Sequence, residues 1–358
     1  MTRKEKIERM LGNKNGRITQ LIAEMPKVEL HLHIEGAIPL ETLLQFIHRK
    51  EPYAAIQTLD DLRQKFTFTD FAHFIQMWRW KDTFITDERD FEEIAYQVLR
   101  ELHRQHVKYV EAFYAPGGYL QRANFSVQGI TAALIAGKEK AFRDFDIQCE
   151  LIIDLIRDHG PAKGMEYLDA VTPYLGKGVI GIGLGGSEQQ FPADTYAEVY
   201  REAKARGFRV VAHAGEAAGA DSIRAAVEHL GVERIGHGFR AYEDPQLVAL
   251  LRERQIPLEM CVLSNLRTGV CQSVAAHPIK SYFEQGLLVT VNSDNPTLFN
   301  TSLNQEYLTL YQQLGLTVND LKQLSLNGIT ASFLAPEGKK VMYTRFENDW
   351  KQLLDKYA

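Results

Sequence analysis

Residues 27–36 read KVELHLHIEG, and this stretch decides between two architectures. Lys27–Ile34 is a short run of apolar and β-branched residues closed by glycine, the pattern of a buried strand. A doubly wound α/β sheet marks the turn after its first strand with a glycine-rich phosphate loop. Here the strand runs out in HLHIEG, which is no such loop. Side chains at i and i+2 share one face of a strand, so His31 and His33 point the same way from its end.

Seven further runs have the same character: Lys108–Tyr114, Gln148–Asp154, Val179–Leu184, Phe208–Ala214, Arg234–Gly236, Ile256–Cys261 and Leu287–Asn292. Most are continuously apolar, as parallel strands covered on both faces require. Amphipathic helical patterns lie between them. Asp90–His106 carries apolar residues at 91, 94, 95, 98, 99 and 102, and Asp194–Arg206 and Ala217–His229 behave similarly. Eightfold strand–helix alternation predicts a (β/α)8 TIM barrel, a single domain over residues 1–358. Gly36 and Val107 are too far apart for one crossover helix. The insertion of about 36–107 contains FTFTDFAHFIQMWRW, with Phe66, Phe68, Phe71, Phe74, Trp78 and Trp80. It is expected to be an extra helical layer, a lid over the barrel mouth, or both. The tail from Ala335 reads as a closing helix without chemistry.

Composition excludes other classes. The chain has 358 residues, 45% hydrophobic and 24% charged, an ordinary globular balance. Lys and Arg number 41 against 46 Asp and Glu, a formal charge of −5, which gives no bulk attraction to nucleic acid or anionic lipid. No apolar run is long enough to span a membrane. The start, MTRKEKIERMLGNKNGR, lacks the apolar segment of a signal peptide. Cys149, Cys261 and Cys271 show no CxxC spacing, so a disulfide framework or cysteine zinc knot is not expected. A cytoplasmic location fits; the oligomeric state is not legible.

The chemistry-bearing residues fall at strand ends. An HxH pair alone is equally a structural pair. However, His213 closes the fifth strand in HAGE, His237 the sixth in RIGHG, and Asp294 follows the eighth in VTVNSD. The C-terminal strand ends of a barrel converge on one face. Three histidines and an aspartate, with a fourth histidine beside them, make an N/O donor set that suits Zn2+ and leaves room for a water. Glu216 follows His213 by three positions and can shuttle a proton beside the metal, or cap the helix expected from Ala217. The glycines of GLGGSE, 183–188, let backbone N–H groups approach a ligand or form a plain tight turn. His48, His73, His103, His106, His159, His229 and His277 lie in helical or loop contexts and read as structural or solvent-facing.

Together PKVELHLHIEG (26–36), HAGE (213–216), RIGHG (234–238), the SN of MCVLSN (264–265) and SDNP (293–296) resemble the adenosine deaminase family of the amidohydrolase superfamily. The resemblance implies that His31, His33, His213 and Asp294 hold one catalytic zinc ion. It implies that Glu216 protonates purine N1 and that His237 orients the attacking water. By the same resemblance the Gly186 backbone faces N3, Asn295 faces N7 and Glu35 faces the group at N9. The implied reaction is hydrolysis of adenosine and 2′-deoxyadenosine to the inosines and ammonia. Adenine and 6-amino-6-deoxyfutalosine are the alternative substrates. Three positions depart from the commonest family pattern. Asn295 stands where many members have aspartate, but its NH2 donates to N7 at any pH. Glu35 stands where adenosine-specific members often have aspartate, which leaves the N9 group open. Val262 replaces a proline before the SN pair. A two-metal amidohydrolase would need a lysine at the end of strand four, and a cytidine-deaminase-type site would need PCxxC; the sequence has neither.

Overall fold

The structure, a computed structural model, describes residues 15–52, 55–67, 71–122 and 124–357. The N-terminal leader reading and Phe68 lie outside the described residues, as do the side chains of Phe71 and Phe74. Among the described residues there are eight strands: β1 Lys27–His33, β2 Val107–Tyr114, β3 Gln148–Ile156, β4 Val179–Gly185, β5 Arg209–Ala214, β6 Arg234–His237, β7 Leu258–Met260 and β8 Val289–Val291. They hydrogen-bond in chain order, every pair parallel. The ring closes where the chain after β8 meets β1. Asp294 N donates to His31 O and His33 N donates to Asp294 O, both at 2.9 Å. The molecule is therefore a (β/α)8 barrel, and Asp294 is part of its seam.

The strands are almost wholly buried, as a parallel sheet covered by helices must be. β7 and β8 are shorter than their apolar runs. Pro257 has no N–H to give a ladder, and beyond β8 the Asn292 side chain takes over, accepting from Leu30 N at 3.0 Å.

The insertion forms α2 Leu40–Lys50, α3 Leu59–Lys65 and α4 Phe71–Asp82, after α1 Asn15–Glu24 and before α5 Asp90–Arg104. The predicted stripe of α5 is the buried one: Phe91, Ile94, Ala95, Val98, Leu99 and Leu102. Asp90 anchors its start, accepting from Thr86 N at 2.8 Å and pairing with Arg49 of α2 at 2.7 Å. Phe66 and Met77 join the main core, with Trp78 and Trp80 packed against it. The insertion is thus a helical layer on the barrel. The outer ring continues with α6 Val127–Phe145, α7 Gly160–Val171, α8 Ala197–Arg206, α9 Ala220–Ala225, α10 Pro245–Arg254, α11 Val262–Arg267, α12 Ile279–Glu284, α13 Leu303–Leu314 and α14 Val318–Ala331. The tail is α15, Pro336–Tyr357, burying Met342, Phe346, Trp350 and Leu353.

Two helix starts differ from the sequence reading. Residues Ala193–Tyr196 form a 3-10 turn before α8. The helix expected from Ala217 begins at Ala220 and ends in a π turn, Ala226–Leu230, because a side chain takes the amides of Ala217 and Ala218. Among the described residues no helix is long and apolar enough to cross a membrane, and the three cysteines are buried and unpaired.

Candidate active site

Strand ends bring His31, His33, His213, His237 and Asp294 to one point in the barrel mouth. Donor atoms of His31, His33 and His213 lie within 4.8 Å of one another, as do those of His31, His237 and Asp294. His33 Nε2 is 3.1 Å from His213 Nε2. Asp294 Oδ1 is 3.5 Å from His33 Nε2 and 3.8 Å from His31 Nε2. The His33 ring stacks on Phe113, centroids 5.2 Å apart. His237 and Asp294 both adopt left-handed backbone, φ 61° and 60°, a strained conformation that clusters at functional sites.

Charge on these rings is suppressed. Burial first, then repulsion among the imidazoles, holds His31 and His213 far below the usual histidine range and His33 down to about 3. Neutral imidazoles are the form that ligates metal. His31 Nε2 and His213 Nδ1 are buried without any hydrogen-bond partner, and an unpaired buried polar atom costs about 1–3 kcal/mol. His31 Nδ1 is held by Glu259 Oε2 at 2.7 Å, which leaves Nε2 as the free lone pair. Asp294 Oδ2 accepts from Ser264 Oγ at 2.5 Å, leaving Oδ1 toward the histidines. Asp154 approaches His33 Nδ1 to 3.9 Å. These residues fit a metal ion and make a histidine-rich candidate metal centre.

Glu216 Oε2 lies 3.4 Å from His237 Nε2, its side chain 22% exposed. Burial, reinforced by the Glu188 carboxylate, pushes its carboxyl up to about 8. Glu188 accepts from the N–H groups of Gly215, Glu216, Ala217 and Ala218 at 2.5, 3.2, 2.7 and 3.0 Å. That one carboxylate shapes the HAGE turn. The turn needs glycine at Gly215, φ 69°, where a Cβ would fall 2.3 Å from Ile223 Cδ1.

The remaining predicted residues are placed less simply. Glu35 lies beyond the strand, and Ile34, read as its last residue, lies beyond it too. β1 stops at His33, and Ile34–Gly36 form a 3-10 turn. The turn still buries Glu35, whose Oε1 accepts from Ala115 N at 2.8 Å while Oε2 has no partner. Burial pushes this carboxyl up to about 7. Asn295 donates from Nδ2 to Asp294 Oδ1 at 2.6 Å, with its Oδ1 against Gly36, where a Cβ would lie 1.9 Å away. Gly186, φ 93°, sits against Asp158 in the turn after β3.

Sequence reading missed Asp154, Glu188 and Glu259, and gave Asn265 and His277 no role. A signal existed for two of them: Asp154 and Glu259 are charges inside otherwise apolar strand runs, which demand a partner. His277, read as structural or solvent-facing, is 3% exposed and bonds Asn265 Oδ1 at 3.1 Å.

Comparison with known proteins identifies the family. The family model described as adenosine deaminase matches residues 26–348. An adenine deaminase of Crocosphaera subtropica is 35% identical over 90% of this chain and 98% of its own length. An adenosine deaminase of Klebsiella pneumoniae is 32% identical, again over 90% and 98%. A solved amidohydrolase structure from Burkholderia ambifaria, with bound Zn, superposes with a TM-score of 0.87 at 27% identity and 96% coverage of both chains. The chain belongs to the adenosine deaminase family and is a hydrolytic deaminase of 6-aminopurines.

Proposed function

We propose that this enzyme deaminates the free base adenine, giving hypoxanthine and ammonia, with His31, His33, His213 and Asp294 holding one zinc ion. Zinc bound there would act as a Lewis acid and lower the pKa of its water to about 7. Glu216, neutral at pH 7, donates a proton to purine N1 and so takes up the charge that attack at C6 drives onto the ring. His237 orients the attacking oxygen. Asp294 accepts the water proton and passes it to the exocyclic nitrogen as the C6–N bond breaks. The second N–H of the Asn295 amide is the donor to N7, and the Gly186 backbone faces N3.

The observation that carries the choice of substrate is Glu35. Its buried Oε2 lacks a donor, and the N9–H of free adenine supplies one, whereas an N9-substituted purine has no hydrogen there. The adenine deaminase name of the relative at 35% identity supports the same choice. Adenosine is the second reading, because a ribose hydroxyl can also donate to a carboxylate, and the relative at 32% carries that name. The test is kcat/KM for adenine, adenosine, 2′-deoxyadenosine and 6-amino-6-deoxyfutalosine. Adenine is expected to exceed every N9-substituted purine by at least about tenfold, or 1.4 kcal/mol. Adenosine turned over faster than adenine overturns the assignment.

A further inference from the structure

A backbone amide can only donate, and one such amide fixes the proton of the ring that faces Glu216. Ile279 N donates to His277 Nδ1 at 3.2 Å. The neutral His277 ring therefore carries its proton on Nε2, which lies 3.1 Å from Asn265 Oδ1. That contact orients the Asn265 amide, since the flipped amide would set N–H against N–H. Asn265 Nδ2 then donates to His237 Nδ1 at 3.3 Å. His237 Nδ1 is an acceptor, so the single proton of this ring sits on Nε2, the atom 3.4 Å from Glu216 Oε2. All three side chains are buried. A ring that accepts through Nδ1 is neutral, so each imidazole has one proton, on Nε2.

We propose that Asn265 and His277 are positioning residues of the deamination: the chain Ile279–His277–Asn265 locks His237 in its Nε2-protonated form, so that it presents a donor to the reacting oxygen. The proposal rests on the role given to His237 above. The opposite tautomer would present a lone pair at Nε2. It would accept rather than donate, and it would make His237 a competing ligand beside His31 and Asp294, to which it is close enough to share an ion.

Histidine-selective 15N NMR of the zinc-loaded protein reads the tautomer directly, with His237 assigned by the signals lost in His237→Gln. The expected spectrum has His237 protonated at Nε2 and bare at Nδ1. Asn265→Asp keeps the shape but offers two acceptors. Its expected result is a His237 proton moved to Nδ1 and a kcat lower by at least about 10²-fold, the scale of one lost aimed donor. KM should stay within about threefold, since the interaction belongs to the transition state, and the metal content per chain should not change. Wild-type His237 protonated at Nδ1 overturns the proposal, and this arm stands even if Asn265→Asp does not fold. An Asn265→Asp protein that loses activity with an unmoved tautomer also overturns it, showing a packing role only. If His237→Gln retains wild-type kcat, the role of His237 itself falls, whatever the spectrum shows.

Discussion

At the lower end of the barrel Arg234 donates through Nε to Glu259 Oε1 at 2.5 Å and through Nη1 to Glu111, while its guanidinium lies 3.8 Å over the Phe333 ring. Tyr109 and the Phe333 amide complete Glu111 at 2.8 and 2.6 Å. One layer up, at the mouth, His31 Nε2, His213 Nδ1, Glu35 Oε2 and Asp154 Oδ1 are equally buried and have no partners. Both layers place charge in an apolar barrel. The lower one pairs it internally, with only Arg234 Nη2 left without a hydrogen-bond partner, and serves structure. The upper one leaves it unmet, at a cost that a ligand must offset. Glu259 spans the two, with Oε1 on Arg234 and Oε2 on His31.

Substitutions in the two layers are therefore expected to fail differently. His213→Ala should remove the metal and at least about 10³-fold of the activity, because water without a metal returns from a pKa of about 7 to 15.7. The metal-free variant should unfold in urea close to the metal-free wild type, since the ring it removes has a buried, unpartnered Nδ1 and a hydrogen-bond contact only to the His33 ring, at 3.1 Å. Glu216→Gln keeps the size of the side chain but not its transferable proton. Its kcat should fall by about 10²–10⁴-fold with metal content unchanged. The wild type needs Glu216 protonated, so its kcat/KM should decline as pH rises through about 8, the value to which this carboxyl is raised, and that limb should vanish in the variant. Arg234→Met strands Glu111 and Glu259 and should cost about 3–5 kcal/mol in urea unfolding. An Arg234→Met protein as stable as wild type would erase the distinction between the layers. Glu259→Gln sits on the boundary. It should weaken metal binding by about 10–100-fold in chelator competition, a loss intermediate between those of the two layers.

The barrel was legible because buried parallel strands are continuous apolar runs, and Val179–Leu184 or Gln148–Asp154 can be little else. The convergence of His31, His33, His213, His237 and Asp294 was legible because barrel topology gathers strand ends wherever they fall in sequence. What escaped reading were single bonds between side chains and backbone, some distant and some local. Glu188 reaches the amides of 215–218, and His277 takes its proton position from Ile279. Such bonds have no periodic signature. The same limit explains the substrate. The motifs lean toward adenosine, yet the environment of Glu35 depends on Ala115, on another strand end, and the relatives support adenine at least as well.

The central claim is that the unmet upper layer is a metal-dependent deaminating centre. It is tested most directly by following ammonia release from adenine while the metal is removed by chelation and returned. The account predicts one divalent metal per chain, no activity in the stripped protein with its fold intact, and recovery in proportion to zinc added. Full adenine deamination by a demonstrably metal-free protein would contradict it.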